Sequence, residues 1–149
     1  MKPFLLMVVV GLAMVGIAGG SEPAPVVFYV QLVRGTSESQ PPAKDSKVIG
    51  PKLAAQFRVF AGWKHYWEIA RQETRIVPGQ KCRIKLNPER EVEIDLSAQG
   101  KRTITAYFKG QSLGRSTDQL DAPMTVIGGE RDPRTTWFIA VRRDKPTTE

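Results

Sequence analysis

Short segments of alternating apolar and polar residues, separated by turn sequences, are the feature that most constrains this fold. The alternation is strictest in residues 82–86, CRIKL, and 92–96, VEIDL. Successive side chains of a β-strand point to opposite faces, so each such segment buries one face and exposes the other. Further candidate strands cover residues 26–33, 66–77, 102–108, 112–115, 124–127 and 136–143. This spacing predicts an all-β protein, an antiparallel β-sandwich of about seven to eight short strands.

One segment favours a helix over a strand. Pro51 suits the first turn of a helix, where its missing N–H is not needed. Three apolar residues that follow it share one face at helical spacing, namely Leu53, Phe57 and Phe60. An alternating strand through the same segment is the competing interpretation. We predict one short helix, over residues 52–60.

The first twenty residues carry the three parts of a secretory signal. Lys2 is followed by an uncharged apolar run from residue 4 to residue 18, and small residues then precede Ser21. A membrane-spanning helix needs about 20 apolar residues, whereas Gly19 and Gly20 end this run earlier. We therefore predict that residues 1–20 are a cleaved signal peptide. The product is expected to be exported, either periplasmic or secreted, with an uncleaved leader as its one route of membrane attachment.

The remaining chain is long enough for one domain with its own core. Cys82 is the only cysteine, so the exported domain has no internal disulfide and depends on packing. Composition divides the mature chain into a first strand at 21–34, a flexible loop at 35–51, a β-sandwich at 52–143 and a disordered tail at 144–149. The loop and the tail contain too few apolar residues to offset the entropy lost on ordering.

A net charge of +7 raises the question of a nucleic-acid partner. One strand face is basic, through Lys81, Arg83 and Lys85, and the next strand carries the acids Glu91, Glu93 and Asp95. Two registers keep both apolar faces in the core, setting Lys85 opposite either Glu93 or Glu91. Both registers place the basic face against the acidic one, so we expect no nucleic-acid binding. Several other basic residues flank turns and are expected to be solvated, in a group that includes Arg102 and Arg142.

One aromatic cluster is a candidate binding surface, made of Trp63, His65, Tyr66 and Trp67. Aromatic side chains beside a basic residue form platforms for peptides or carbohydrates. The competing interpretation is core packing, because Trp and Tyr bury large areas while keeping a polar tip in water. If Trp63 and Trp67 belong to one strand, they share a face and Tyr66 lies on the other.

The residues that catalysis or metal binding requires are too few. His65 is the only histidine, and Cys82 occupies an inward strand position, where a thiol acts as a small apolar group. One histidine and one cysteine do not make a zinc site, and no G-x-S-x-G sequence is present. Gly128 and Gly129 fit a hairpin rather than a phosphate loop, since no helix follows them. We predict no catalytic residue, no cofactor, no metal and no enzymatic activity.

Residues 53–142 resemble small exported bacterial proteins. The resemblance rests on aromatic residues ahead of Tyr66 and Trp67, paired strands around Pro78 and a late TVIGG segment before the last strand. The TVIGG segment alone is also similar to a short stretch of outer-membrane secretins. The resemblance implies a compact β-sandwich and no functional residue. We expect a non-catalytic module that binds an envelope protein or serves as a structural adapter, with a binder of an anionic or saccharide envelope polymer as the alternative and an enzyme of unknown class as the third.

Overall fold

A computed structural model describes residues 20–60 and 62–147, so residues 1–19 of the predicted signal peptide lie outside the described residues. The described chain forms nine strands and one helix. Their bounds are β1 Val26–Thr36, β2 Lys47–Val48, α1 Pro51–Phe60, β3 His65–Ile76, β4 Lys81–Lys85, β5 Arg90–Asp95, β6 Lys101–Phe108, β7 Gln111–Gln119, β8 Met124–Arg131 and β9 Thr135–Arg142.

Two antiparallel sheets pack face to face. One has the strand order β2-β3-β1-β9-β8, and the other has the order β4-β5-β6-β7. Apolar side chains from both sheets form the core between them, for example Phe28, Leu32, Val92, Ile94, Ile104 and Val141. The predicted all-β antiparallel sandwich with one short helix is therefore confirmed.

The helix adds a third layer on the outer face of the five-stranded sheet. Leu53 and Phe57 are fully buried there, in a second apolar cluster that includes Val33 and Phe138. The Phe57 ring lies 4.7 Å from that of Phe138, centroid to centroid. Strand β1, at the centre of this sheet, is thus covered on both faces, which explains why both faces of residues 26–33 are largely apolar.

The β4–β5 hairpin adopts the second of the two predicted registers, with Lys85 opposite Glu91. The ion pair it forms is diagonal, since Arg83 Nη2 lies 2.9 Å from Glu91 Oε2. The Arg83 guanidinium also stacks 3.9 Å from the centre of the Tyr107 ring. The basic face of β4 lies against the acidic face of β5, as predicted.

Two arginines expected to be solvated are buried. Arg102 is 0% exposed, and its guanidinium donates to Ala122 O at 2.7 Å and to Thr125 Oγ1 at 2.8 Å. Burial lowers the pKa of Arg102. Arg142 is also buried and donates to Asp144. The prediction was wrong because position along the strand, not the nearby turn, decides which face a side chain joins: Arg102 shares the inward face of Ile104.

The segments 35–51 and 144–147 contain more contacts than their composition indicates. Strand β1 continues to Thr36, and the unpredicted strand β2 is followed by the buried Ile49. In the tail, Pro146 is buried and its carbonyl accepts a hydrogen bond from Arg71 Nη1 at 3.3 Å. As far as Thr147 the tail therefore packs on the domain. The reason is that arginines of the sheet supply polar partners that composition does not reveal.

Candidate binding cleft

All four residues of the predicted binding surface line one cleft of about 240 Å³. The cleft lies between α1, β2 and the chain that enters β3. Its walls are Ser39, Val48, Ile49, Ala54, Arg58, Trp63, Lys64, His65, Tyr66 and Trp67. The structure thus brings the predicted residues together and adds the helix and β2 to them.

Tyr66 belongs to the core beneath the cleft and is 8% exposed. Its ring stacks on that of Phe57, with centroids 4.9 Å apart and planes 8° from parallel. Its hydroxyl accepts a hydrogen bond from the backbone N–H of Trp63 at 3.3 Å. Burial raises the pKa of Tyr66, so this hydroxyl stays protonated at neutral pH. Tyr66 therefore forms a fixed part of the wall.

Trp63 depends on a glycine in the neighbouring strand. It precedes β3 and is half-buried, so it is not on one strand with Trp67. A Cβ placed on Gly35 would lie 2.5 Å from Cδ1 of Trp63 and 3.1 Å from Cε1 of Tyr66. Both rings therefore occupy the space that a side chain at Gly35 would otherwise fill. The only sequence signal for this role was a glycine at the end of an apolar strand, which marks a close approach of neighbouring groups.

Trp67 and His65 stand on the opposite face of β3 from Tyr66, since side chains alternate along the strand. Trp67 pairs with Arg34 across the β1–β3 ladder, and His65 pairs with Thr36. Both are half-buried. The indole Nε1 of Trp67 is buried and has no hydrogen-bond partner among the described residues.

Ser39 and His65 line the same cleft, but their surroundings lack the other parts of a catalytic site. No hydrogen bond joins the two within residues 20–60 and 62–147, and neither Asp nor Glu lines the cleft. A nucleophilic triad needs a base bonded to the nucleophile and an acid that orients the base. In the same described residues, no group of three His, Cys, Asp or Glu side chains is arranged to hold a metal ion.

The cleft is basic. Arg58 and Lys64 line it, and neither forms an ion pair with another residue of the described chain. Arg58 lies in the last turn of α1, where a cation also interacts favourably with the helix dipole. Two cations beside aromatic walls create a positive potential that is open to an anionic ligand.

Strand β2 forms the open edge of the five-stranded sheet beside the cleft. It pairs with β3 only through Lys47 and Val48, and Val48 is 63% exposed. The next residue, Ile49, donates its N–H to Tyr66 O at 3.5 Å. Backbone groups of consecutive strand residues alternate between the two sides. The N–H and C=O of Val48 therefore point away from β3, toward the open edge.

Comparison of the chain with family models, with curated proteins and with solved structures finds no match. No helix in the part of the chain that the structure describes is long and apolar enough to cross a membrane.

Proposed function

We propose that this protein is an exported, non-catalytic β-sandwich module of the bacterial envelope that binds a protein partner and acts as an adapter. The observation that carries the proposal is the cleft lined by Trp63, His65, Tyr66 and Trp67. Its volume of about 240 Å³ lies below the range of about 300–1,000 Å³ that is usual for sites of whole small molecules. A cleft of this size suits one large side chain of a partner.

The rigidity of the cleft supports the same proposal. Tyr66 is fixed by Phe57 and by the backbone of Trp63, and Gly35 fixes how closely the rings approach β1. A preformed pocket loses little entropy on binding, so a single anchoring side chain contributes much of the affinity.

A photo-crosslinking experiment tests this function. We would replace Lys64, in the cleft wall, with p-benzoylphenylalanine, and make the same change at Arg115, which is exposed on β7. Irradiation in envelope fractions of the source cells should join the Lys64 variant to one defined protein, and the Arg115 variant should not form that adduct. The partner, identified by mass spectrometry and purified, should then rebind the unmodified module at physiological salt. Identical adducts from both positions would contradict the proposal.

A binder of an anionic or saccharide envelope polymer is the second candidate. Arg58 and Lys64 beside the two tryptophans favour it, because cations and aromatic rings together suit an anionic sugar. Retention on such a polymer would rest on charge and should fall steeply as salt is added. Retention of this kind, without a protein adduct at Lys64, would replace the adapter with the polymer binder.

A further inference from the structure

We propose that the occupant of the cleft is an extended acidic peptide strand, which pairs with the open edge at Val48 and places one apolar side chain in the cleft beside Trp63. This inference rests on the proposed function and specifies the chemistry of its partner. Three features of the described structure carry it: the direction of one backbone pair, the sign of the charge around the cleft and the size of the cleft.

The backbone of Val48 offers one donor and one acceptor to an incoming strand. Its N–H and C=O point away from β3, because the N–H of the next residue, Ile49, points toward it. Strand addition uses such main-chain pairs for affinity and pockets beside the edge for specificity. Because β2 has only two residues, only the backbone groups of Val48 are available to an added strand. Such a short edge limits pairing with unrelated strands.

The charge around the edge selects an acidic strand. Arg58 and Lys64 line the cleft, and no carboxylate does. Glu38 adjoins the cleft residue Ser39 in sequence and is exposed, but it is not part of the wall. A carboxylate on the bound peptide would meet two cations that have no ion-pair partner elsewhere in the described chain, which gives charge-assisted contacts.

The cleft admits one side chain beside that carboxylate. Val48 at its rim is largely exposed, and the aromatic walls provide an apolar surface. Alternate residues of an extended peptide point to the same side. The preferred sequence is therefore a large apolar residue with an acidic residue near it, in a peptide that contains no proline at the paired position.

A random peptide library displayed on phage is the probe. Panning against the unmodified protein should enrich peptides that combine a large apolar residue with Asp or Glu. The double variant Arg58→Glu with Lys64→Glu should bind the enriched peptide about tenfold or more weakly, because charged hydrogen bonds are lost. The control Lys101→Glu with Arg115→Glu makes the same change in net charge on the other sheet and should leave binding within about twofold.

A matched pair at Val48 tests the backbone contact. Val48→Pro removes the outward N–H and leaves the bonds to β3 in place, because proline is tolerated on edge strands. Val48→Ala keeps the N–H and removes most of the side chain. Val48→Pro should weaken binding of the enriched peptide several-fold more than Val48→Ala does.

If the double charge reversal at Arg58 and Lys64 unfolds the protein, the variant Arg58→Gln with Lys64→Gln replaces it. We then expect a smaller loss of peptide affinity.

The outcomes separate the two levels of the proposal. The proposal of an acidic strand is overturned if the enriched peptides show no acidic preference, or if Val48→Pro and Val48→Ala bind them equally. This holds even if Trp63→Ala abolishes binding. In that case the cleft remains a protein-binding site. If no peptide is enriched, or if Trp63→Ala binds the enriched peptides as well as the unmodified protein does, the acidic strand and the peptide-binding function of the cleft fail together.

Discussion

Gly35 is the residue on which the shape of the cleft depends most directly. It is not in a left-handed conformation, so its role is to leave space rather than to permit a turn. The nearest ring atom of Trp63 lies 2.5 Å from where a Cβ would stand, a distance that real Cβ atoms do not tolerate. The aromatic walls and β1 are thus fitted to each other at one position.

We expect Gly35→Ala to displace Trp63, and to lower the free energy of unfolding by about 1–3 kcal/mol through overpacking. Peptide binding at the cleft should fall with it. Near-ultraviolet circular dichroism would report the displaced ring, and urea denaturation the stability. Gly62→Ala is the control, because a Cβ on Gly62 meets nothing within 4 Å. Equal spectra and stabilities for the two variants would contradict this role of Gly35.

Arg102 illustrates a buried charge that is held by hydrogen bonds. Truncation by Arg102→Ala removes the donors to Ala122 O and Thr125 Oγ1 and leaves a cavity in the core. We expect a loss of about 3–5 kcal/mol in urea denaturation. Arg115→Ala, at an exposed position of β7, should change stability by no more than about 0.5 kcal/mol. A small effect at Arg102 would mean that its side chain reaches solvent.

The helix and the chain terminus are joined by a cluster of charges. Asp144 accepts hydrogen bonds from Arg142 of β9 and from Lys52 in the first turn of α1. These bonds, that from Arg142 foremost, hold the pKa of Asp144 well below its usual value. The tail thereby ties α1 to the outer face of the five-stranded sheet.

This cluster makes part of the stability depend on pH. A carboxylate with a lowered pKa in the folded state stabilises the fold above its unfolded pKa, about 3.9, and loses that contribution as pH falls toward the folded pKa. Asp144→Asn should therefore be less stable than the unmodified protein at pH 7, by about 1 kcal/mol because Asp144 is partly exposed. The difference should shrink below about pH 4. Asp45→Asn, at an exposed loop position, is the control, and a difference that stays constant with pH would contradict the role of Asp144.

The elements that sequence could predict are those with a periodic apolar face. Alternation located β4 and β5 and limited the register between them to two possibilities, since only registers two residues apart keep both faces in the core; the structure selects the one with Lys85 opposite Glu91. Helical spacing located α1 through Leu53 and Phe57. Strand β2 was missed because two residues are too few to show a period.

The cleft could be predicted only in part. The aromatic cluster around Trp63 was visible as a run of residue types, but its other walls come from positions distant in sequence, such as Val48 and Arg58. Gly35 begins the segment that composition predicts to be a loop, and no sequence pattern tells which ring a glycine will face. The buried Glu68 accepts hydrogen bonds from Gln31 and Arg71. Its burial was likewise not predicted, because Gln31 lies on β1 and becomes its neighbour only when β1 pairs with β3.

The molecule as a whole is a three-layer arrangement of two sheets and one helix, with its proposed binding surface at one edge. This surface borders α1 and the edge strand of the five-stranded sheet, whereas the opposed charges of β4 and β5 belong to the other sheet. The basic residues therefore differ in their partners. Arg83 of the β4–β5 hairpin forms an ion pair with an acidic residue, whereas Arg58 and Lys64 at the cleft form none within the described chain.

Export is a prediction about the whole chain. N-terminal sequencing of the protein from its source cells should give Ser21 as the first residue, because small residues precede it at the end of the apolar run. Cell fractionation should find that form outside the cytoplasm. A protein that starts at Met1 would contradict cleavage and would support attachment by the leader.

The most direct test of the proposed cleft is a titration of isotopically labelled protein with the enriched peptide, followed by the amide signals in nuclear magnetic resonance spectra. We predict that the largest changes fall at residues 47–49, at Arg58 and across residues 63–67. Changes concentrated on β4, β5, β6 or β7 instead, with the cleft signals unmoved, would contradict the assignment of the cleft as the binding surface.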